Sequence, residues 1–265
     1  MKAGTTRSKD GTEIAFWTGG EGPPLLLVHG ITSTHLTFDE LVPHLTPHRT
    51  VTVYDRRGRG GSGDSSDPYD ISAEFDDVLA VLDAIGSGTV DLFAHSFGAY
   101  VAIGASERDR PGRIRTMVFY SPGFGDRYPE STLAQIDDLV ASGERDQALR
   151  VLLMEIIGMP AGEVDFMQQS PAWAARIDSV HTVARECRAD RDFALDEARL
   201  AAVETPILVV SGETNPPNKQ AVASRLASLL PGATLTAVSG EGHVAHHTAP
   251  ERLAEIVLDF TGNDA

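Results

Sequence analysis

Residues 90–106 read VDLFAHSFGAYVAIGAS, which is an apolar run followed by a short turn and a second apolar segment. The run 90–93 is typical of a buried strand, and the apolar spacing after the turn predicts a helix. Ala94 and Gly98 stand two residues before and two residues after Ser96, where a sharp strand-to-helix turn leaves room only for small side chains. The stretch therefore predicts a strained turn that presents Ser96 as a nucleophile.

The position of Ser96 between two elements has a chemical consequence. At the N-terminus of the helix predicted over 97–106, backbone N–H groups and the helix dipole favour the negative charge that develops during acyl transfer. A serine flanked by small residues is by itself a weak signal. The strand before Ser96 and the helix after it make the interpretation as a nucleophile turn specific.

Apolar runs and helical patterns alternate on both sides of this stretch. Segments 4–7 and 13–18 predict a hairpin around a turn at 9–12. Five further strands are predicted over 25–28, 51–54, 117–120, 206–210 and 233–238, and four further helices over 38–45, 72–85, 220–230 and 250–260. Buried strands that alternate with helices predict an α/β fold with a mostly parallel, doubly wound sheet covered on both faces.

One part of the chain departs from this alternation. From residue 127 to residue 196 the sequence shows helical patterns and no strand pattern, and about seventy residues are too many for a simple crossover. We therefore predict a helical cap at 127–196, inserted into a core formed by 1–126 and 197–265. Trp173 and the methionines of this insertion are interpreted as packing residues or as the lining of a pocket.

Composition limits the kinds of partner. The chain has 265 residues and a net charge of −16, and no basic patch is visible, which argues against nucleic acid and anionic membrane surfaces as ligands. The polar N-terminus and the short apolar runs predict neither a signal peptide nor a membrane span, so we expect a cytoplasmic protein. The single cysteine, Cys187, allows no intramolecular disulfide, and no histidine spacing is typical of a metal site. We expect a small-molecule substrate, and a homodimer is left open.

Two further segments carry a family resemblance. Residues 25–30 read LLLVHG, and residues 54–62 read YDRRGRGGS. Together with the nucleophile turn they resemble the α/β-hydrolase superfamily over nearly the whole chain, in particular a group of bacterial α/β-fold hydrolases with a small helical cap. The resemblance implies that the N–H groups of Ile31 and Phe97 form an oxyanion hole, which stabilises a tetrahedral intermediate. It also implies that Asp55 stabilises its own loop and takes no part in the chemistry.

The general base is expected in the segment EGH at 241–243, which follows the last strand and precedes the final helix. The resemblance implies that His243 takes this role, because a neutral imidazole can accept the proton of Ser96 and return it to the leaving group. Structural roles are expected for the other imidazoles near the site: His29 in the oxyanion loop, His95 against neighbouring strands, and His246 and His247 in cap or surface contacts.

The acidic partner of the base is missing from both positions that the resemblance implies. Asn215 stands where the acid usually follows the strand 206–210. Ser121 stands at the alternative position, where similar bacterial sequences have a Glu between a Tyr and a Pro. Three explanations remain open: Asp126 folds back to His243 from the loop beyond Ser121, Asn215 or Ser121 orients the imidazole as a neutral hydrogen-bond partner, or one of these two positions is altered.

These residues predict a serine hydrolase. Ser96 attacks the carbonyl carbon of a small to mid-sized hydrophobic ester or lactone, an acyl-enzyme forms, and water releases the acyl group. The prediction includes no cofactor and no metal. Two alternatives are kept: a non-hydrolytic enzyme of the same fold, such as a lyase, a cofactor-free oxygenase or a cyclase, and a ligand-binding protein with a degraded triad.

Overall fold

A mixed sheet forms the centre of the protein in the computed structural model, which describes residues 1–65, 68–86, 88–109, 112–123, 128–169, 172–192 and 197–262. The strands are β1 (Lys2–Arg7), β2 (Glu13–Gly19), β3 (Pro24–Val28), β4 (Thr50–Tyr54), β5 (Val90–His95), β6 (Ile114–Tyr120), β7 (Ile207–Gly212) and β8 (Thr234–Val238). Their order in the sheet is β1-β2-β4-β3-β5-β6-β7-β8. Every predicted strand is present, with ends that differ by at most three residues.

The sheet is parallel from β4 to its β8 edge. The strands β3 to β8 pair in parallel, and β1 and β2 extend the β4 edge in antiparallel pairs. The central strands β5 and β7 are buried along their whole length, as continuous apolar runs predict. The predicted mostly parallel sheet is therefore confirmed.

Helices cover both faces of the sheet. They are α1 (Val42–Leu45), α2 (Ser72–Ile85), α3 (Gly98–Arg108), α4 (Glu130–Ala141), α5 (Arg145–Val151), α6 (Ala161–Met167), α7 (Ala172–Ser179), α8 (Val183–Asp192), α9 (Glu197–Leu200), α10 (Pro217–Leu229), α11 (Ala245–Thr248) and α12 (Pro250–Gly262). Apolar side chains of α2, α3 and α10 pack on one face, and those of α1 and α12 pack on the other. The sheet is thus doubly wound, as predicted.

The single helix predicted over 38–45 is wrong. A 3₁₀ turn spans His35–Phe38, and the separate helix α1 begins at Val42. Pro43 lies in the first turn of α1, where its missing N–H costs no hydrogen bond. Inside a helix that continued from the 3₁₀ turn, the same proline would remove a hydrogen bond and clash with the preceding turn.

Helices α4 to α8 lie between β6 and β7. They share an apolar cluster that is separate from the two clusters on the sheet and that includes Leu149 and Val183. No strand occurs in the described residues of this stretch, in agreement with the helical prediction. The division into a core and a cap at residues 127 and 196 stays a prediction, because both boundaries lie outside the described residues.

The carboxyl ends of four parallel strands, β3, β5, β6 and β7, meet at one edge of the sheet. In open α/β sheets this is the edge where ligands bind. The residues that follow these strands in the sequence become neighbours here, although they lie far apart along the chain.

Candidate active site

Ser96 lies on the sharp turn between β5 and α3. Its backbone φ angle is +54°, in the left-handed region that residues other than glycine rarely adopt. The N–H of Ser96 donates to the carbonyl oxygen of Tyr120, 3.1 Å away on the neighbouring strand. A Cβ atom on Gly98 would overlap the carbonyl oxygen of Val28, so only glycine fits there. The structure therefore contains the strained turn that the sequence predicts.

Backbone strain is concentrated around Ser96. In the described part of the chain three residues other than glycine have a positive φ angle, namely Thr32, Ser96 and Ser121. They follow β3, β5 and β6, so all three lie at the same edge of the sheet. Such conformations cost about 1–3 kcal/mol each and persist where the surrounding structure holds a functional geometry. This edge is therefore the candidate functional part of the molecule.

Two backbone N–H groups beside Ser96 are available to a ligand. Neither the N–H of Ile31 nor that of Phe97 donates a hydrogen bond to a protein group among the described residues. Glycines keep the adjacent space open: a Cβ atom on Gly30 would lie 2.9 Å from Cβ of Ser96, and one on Gly123 would lie 3.3 Å from its Oγ. Unbonded donors next to a nucleophile are what an oxyanion hole requires, and this role of Ile31 and Phe97 stays a prediction.

The imidazole of His243 has a neutral partner. Its Nδ1 lies 2.6 Å from Oγ of Ser121, and Nδ2 of Asn215 donates to the same oxygen at 3.0 Å. Both partners are buried, and Oδ1 of Asn215 has no hydrogen-bond partner among the described residues. The structure thus brings together the two neutral candidates. The third candidate, Asp126, lies outside the described residues.

The surroundings of His243 favour its neutral form. Burial is the largest cause that lowers its pKa well below the ordinary value, followed by His95 and by the positive charges of Lys219 and Arg176. A neutral imidazole is the form that accepts a proton. Because His243 and Ser96 line the same cavity, the nucleophile and the predicted base open onto one space.

Two buried side chains hold the loop that carries His243, and the sequence analysis did not assign this role to either. The hydroxyl of Tyr120 donates to the carbonyl oxygen of Gly242 and accepts from the N–H of Ala245 at 3.0 Å. Nε2–H of His95 donates to the carbonyl oxygen of His243 at 3.0 Å, so the expectation that His95 packs against strands is incomplete. No sequence signal marks these contacts, since each joins residues 122 to 148 positions apart.

The remaining imidazoles have different environments. Nε2 of His29 accepts from the N–H of Arg56 at 3.1 Å, and its Nδ1–H donates to the carbonyl oxygen of Gly30 at 2.9 Å, so His29 has the structural role that was expected. His247 is exposed. His246 is not a surface residue, because it is 1% exposed and lines the same cavity as Ser96.

Asp55 stabilises its own loop, as the family resemblance implies. Its carboxylate accepts hydrogen bonds from the N–H of His35 at 2.7 Å and from the N–H of Gly61 at 2.8 Å. Asp55 is fully buried and does not line the cavity around Ser96. These contacts fit the structural role that the resemblance implies for Asp55.

A buried ion network joins the same loop to helix α8. Arg56 makes two hydrogen bonds of 2.6 Å to Glu74, and its guanidinium lies 4.7 Å from the ring centroid of Phe97. Glu186 of α8 lies 3.1 Å from Arg56 and also pairs with Arg59. The network therefore connects α8 with Phe97, one of the two predicted oxyanion donors.

Ser96 and His243 open into a cavity between the sheet edge and the residues 152–159, α6 and α7. Part of the wall is a π-helical turn at Leu152–Ile156, a local geometry that is frequent at functional sites. The helical stretch contributes an apolar part of the lining, which consists of Tyr128, Leu152, Leu153, Ile156, Ile157, Met159 and Met167. Two of the predicted pocket methionines thus line the cavity, whereas Met154 is 40% exposed and Trp173 packs among the helices.

The described residues contain neither a candidate metal site nor a candidate membrane-spanning helix. No cluster of three or more His, Cys, Asp or Glu side chains among the described residues could hold a metal ion. Within the same residues no helix has the length and apolar character that a membrane crossing requires. The single cysteine, Cys187, is buried on α8, as its helical sequence context predicts.

Comparisons with known proteins agree with this geometry. The sequence model of the alpha/beta hydrolase family matches residues 25–256. The crystal structure of an alpha/beta hydrolase from Sphaerobacter thermophilus DSM 20745 is similar to this chain, with 33% identity and a TM-score of 0.88. That match covers 97% of this chain and 100% of the other.

Two curated proteins are similar at lower identity. The 2-(acetamidomethylene)succinate hydrolase of Mesorhizobium japonicum is 26% identical over 91% of this chain and 88% of that protein. The polyketide synthase ThaQ of Burkholderia thailandensis is 29% identical over 94% of this chain, but the match spans only 12% of that much longer protein. Because the family model matches most of the chain and the fold agrees with it, the protein belongs to the α/β-hydrolase family.

Proposed function

We propose that the protein is a serine hydrolase that cleaves a small to mid-sized hydrophobic ester or lactone through an acyl-enzyme on Ser96. The observation that carries the proposal is the convergence of the strained Ser96, the unbonded N–H groups of Ile31 and Phe97, and the imidazole of His243 at one cavity. The apolar wall of that cavity suits the hydrophobic part of such a substrate. The similarity to a succinate-derivative hydrolase supports the reaction class.

The proposed reaction has two stages. Oγ of Ser96 attacks the carbonyl carbon while Nε2 of His243 takes the hydroxyl proton, and the N–H groups of Ile31 and Phe97 donate to the developing oxyanion. The imidazolium then gives this proton to the leaving alcohol as the acyl-enzyme forms. In the second stage His243 takes a proton from a water molecule as that water attacks the acyl carbon. The imidazolium then gives this proton to Oγ of Ser96 as the bond between Oγ and the acyl carbon breaks, so the carboxylic acid leaves and Ser96 is restored.

The two neutral partners control which nitrogen of His243 carries the proton. To act as a base, His243 must hold its proton on Nδ1 and donate it to Oγ of Ser121. Ser121 then donates its own proton to Oδ1 of Asn215, if the amide oxygen faces it. When Nδ2 faces Ser121, as it does here, the hydroxyl proton has no acceptor on Asn215 and is free to turn to Nδ1. That arrangement leaves Nε2 protonated and unable to accept from Ser96.

Ser121 and Asn215 are therefore proposed as positioning residues. They carry no negative charge, so they orient the imidazole but do not stabilise the imidazolium as a carboxylate would. The wrong tautomer of a catalytic histidine can cost about 10⁴-fold in kcat. The fraction of His243 in the tautomer that can accept from Ser96, and with it kcat, is thus expected to depend on the orientation of the Asn215 amide.

Covalent labelling tests the proposed nucleophile. An alkyl fluorophosphonate should add one phosphonyl group to the intact protein, and the protein should hydrolyse p-nitrophenyl butyrate or a γ-lactone. Ser96→Ala should abolish both results. Ser228→Ala removes an exposed hydroxyl that does not line the cavity and is the matched control, which should keep both. Absence of labelling together with absence of turnover, or labelling that survives Ser96→Ala, contradicts the proposal.

A second candidate function is a non-hydrolytic reaction at the same site. The observation that favours it is the uncharged partner of His243, because acyl transfer benefits from a carboxylate that stabilises the imidazolium. Mass spectrometry of the products separates the candidates. Hydrolysis adds one water to the substrate, a lyase divides the substrate without water, and a cofactor-free oxygenase adds oxygen atoms from O₂.

A further inference from the structure

The charge of the cavity is opposite to that of the protein. The chain has 38 Asp and Glu residues against 22 Lys and Arg residues, which gives a net charge of −16. The described residues that line the cavity around Ser96 include two cations, Arg176 and Lys219, and no carboxylate. Because the protein as a whole is strongly acidic, a cavity lined by positive charge stands out, and it favours an anionic ligand.

Arg176 of helix α7 differs from most arginines of the protein. Those arginines pair with Asp or Glu, as Arg150 does with Asp165 at 2.6 Å. In the described part of the chain no carboxylate lies within 4.0 Å of the Arg176 guanidinium, whose hydrogen bond is a long one of 3.3 Å to Oγ1 of Thr32. Burial lowers the pKa of Arg176 to about 10, so it remains a cation at neutral pH.

The guanidinium of Arg176 lies beside the groups proposed to perform the reaction. Its partner Thr32 follows Ile31 directly and has a φ angle of +54°, so the strained oxyanion loop turns a hydroxyl toward the arginine. The positive charge of Arg176 also contributes to the lowered pKa of His243 and of His246. A ligand group bound at Arg176 would therefore share the cavity with the scissile bond.

A purely structural role fits Arg176 less well. A buried guanidinium that only braces two elements needs compensation for the water it has lost, and Arg56 obtains it from two hydrogen bonds to Glu74. Arg176 is half-buried at the cavity, and its one hydrogen bond among the described residues is a long one to a neutral hydroxyl. Its remaining N–H donors can therefore pair with an acceptor that arrives with the substrate.

We propose that the substrate carries a carboxylate in addition to the scissile ester or lactone bond, and that Arg176 binds this carboxylate. The inference rests on the proposed hydrolase function. A guanidinium fork matches a carboxylate with two parallel N–H···O bonds, whereas the apolar wall contacts the hydrocarbon between the two functional groups. The substrate class is therefore a half-ester of a dicarboxylic acid or a lactone that bears an acid group.

Two esters of equal chain length test this assignment. p-Nitrophenyl butyrate and the mono-p-nitrophenyl ester of succinic acid differ in the terminal group, which is a methyl or a carboxylate. After subtraction of spontaneous hydrolysis, the ratio of kcat/KM for the succinate ester to that for the butyrate ester should fall at least about 10-fold in Arg176→Gln, mainly through KM. Arg176→Lys keeps the positive charge but lacks the two parallel N–H donors of the guanidinium. It should therefore restore part of the preference for the succinate ester that Arg176→Gln loses.

Arg150→Gln is the matched control, because Arg150 belongs to α5 and does not line the cavity. It should leave the ratio unchanged. An unchanged ratio in Arg176→Gln overturns the inference, even if both rates fall, since a uniform loss is what a structural arginine gives.

A binding measurement tests the role of Arg176 independently of the proposed hydrolase function. If the wild-type protein is not labelled at Ser96 and hydrolyses neither ester, the proposed function fails, and calorimetry with succinate decides the inference by itself. Succinate should bind the wild-type protein and lose at least about 10-fold in affinity in Arg176→Gln. Equal affinity for both proteins, or no binding to the wild type, overturns the inference.

Discussion

The hydroxyl oxygen of Ser121 lies 2.6 Å from Nδ1 of His243, at a position where the family resemblance implies a carboxylate. Behind it, Nδ2 of Asn215 lies 3.0 Å from the same oxygen. The proposed base is thus oriented by a hydroxyl and an amide, each of which can donate or accept. The protonation of His243 depends on the direction of these two hydrogen bonds.

Asn215→Asp should raise kcat. An ionised aspartate has only acceptor oxygens, so it takes the proton of Ser121 and leaves Oγ free to accept from Nδ1–H of His243. This direction selects the tautomer whose Nε2 can receive the proton of Ser96. We expect a gain of about 10-fold, a part of the roughly 10⁴-fold that the wrong tautomer can cost. Steady-state kinetics with p-nitrophenyl butyrate measure it.

The gain should depend on Ser121. Ser121→Ala removes the connecting hydroxyl, so adding Asn215→Asp in that background should produce no gain in kcat. If the gain keeps its size without the hydroxyl, or if a folded Asn215→Asp protein is no faster than the wild type, the proposed chain of hydrogen bonds is wrong.

Tyr120→Phe should lower both kcat and the free energy of unfolding. The hydroxyl of Tyr120 bonds the carbonyl oxygen of Gly242 and the N–H of Ala245, on the two sides of His243. Removing it leaves two backbone groups without a partner, at about 1–3 kcal/mol for each one that stays buried. The loop that carries His243 loses its anchor, so the imidazole is less well placed. Urea unfolding and kinetics measure the two effects.

Tyr54→Phe provides the control for Tyr120→Phe. Tyr54 also ends a buried strand, β4, but its hydroxyl has no hydrogen-bond partner among the described residues. Its removal should leave kcat unchanged and should not lower the free energy of unfolding. If the two substitutions behave alike, the anchoring role of Tyr120 is refuted.

Glu186→Gln should destabilise the protein by about 3–5 kcal/mol. It leaves Arg56 and Arg59 with an unbalanced charge in a buried network that joins α8 to the loop after β4. Glu130→Gln is the control, because Glu130 is exposed and its pairs with Arg188 and Arg191 lie in solvent. Surface pairs of this kind contribute little to stability. Comparable urea midpoints for the two variants would argue against the network as an anchor.

The free energy of unfolding should fall as the pH drops below about 6.5. Burial lowers the pKa of His29 and His246 well below 6.5 and that of His95 to about 3. The unfolded chain therefore binds protons that the native state does not, and each buried imidazole costs up to about 1.4 kcal/mol per pH unit between its two pKa values. Above pH 6.5 both states hold these rings neutral, so this contribution is constant.

Urea unfolding at pH 7.5 and at pH 5.5 measures this effect. His246→Gln should make the pH dependence shallower, because one buried titrating ring is removed. His44→Gln changes an exposed ring and should leave the dependence as it is. An equal free energy of unfolding at both pH values contradicts the prediction.

The amino-acid sequence by itself determined the features that depend on neighbours along the chain. The small residues Ala94 and Gly98 around Ser96 already predict the strained turn, since steric exclusion in a tight turn is local. The alternation of apolar runs and helical patterns predicts the doubly wound sheet for the same reason. The prediction failed locally at 38–45, where the effect of Pro43 outweighed the apolar spacing.

Only the tertiary structure decided what surrounds Ser96 and His243. Three explanations for the missing acid stayed open in the sequence, and the fold brought Ser121 to Nδ1 of His243 and Asn215 to Oγ of Ser121 from the ends of two different strands. In the same way, Arg176 lies at the cavity, with no carboxylate partner among the described residues, only because α7 packs over it. Hydrogen-bond partners and desolvation depend on which distant residues become neighbours, and that depends on the packing of the whole chain.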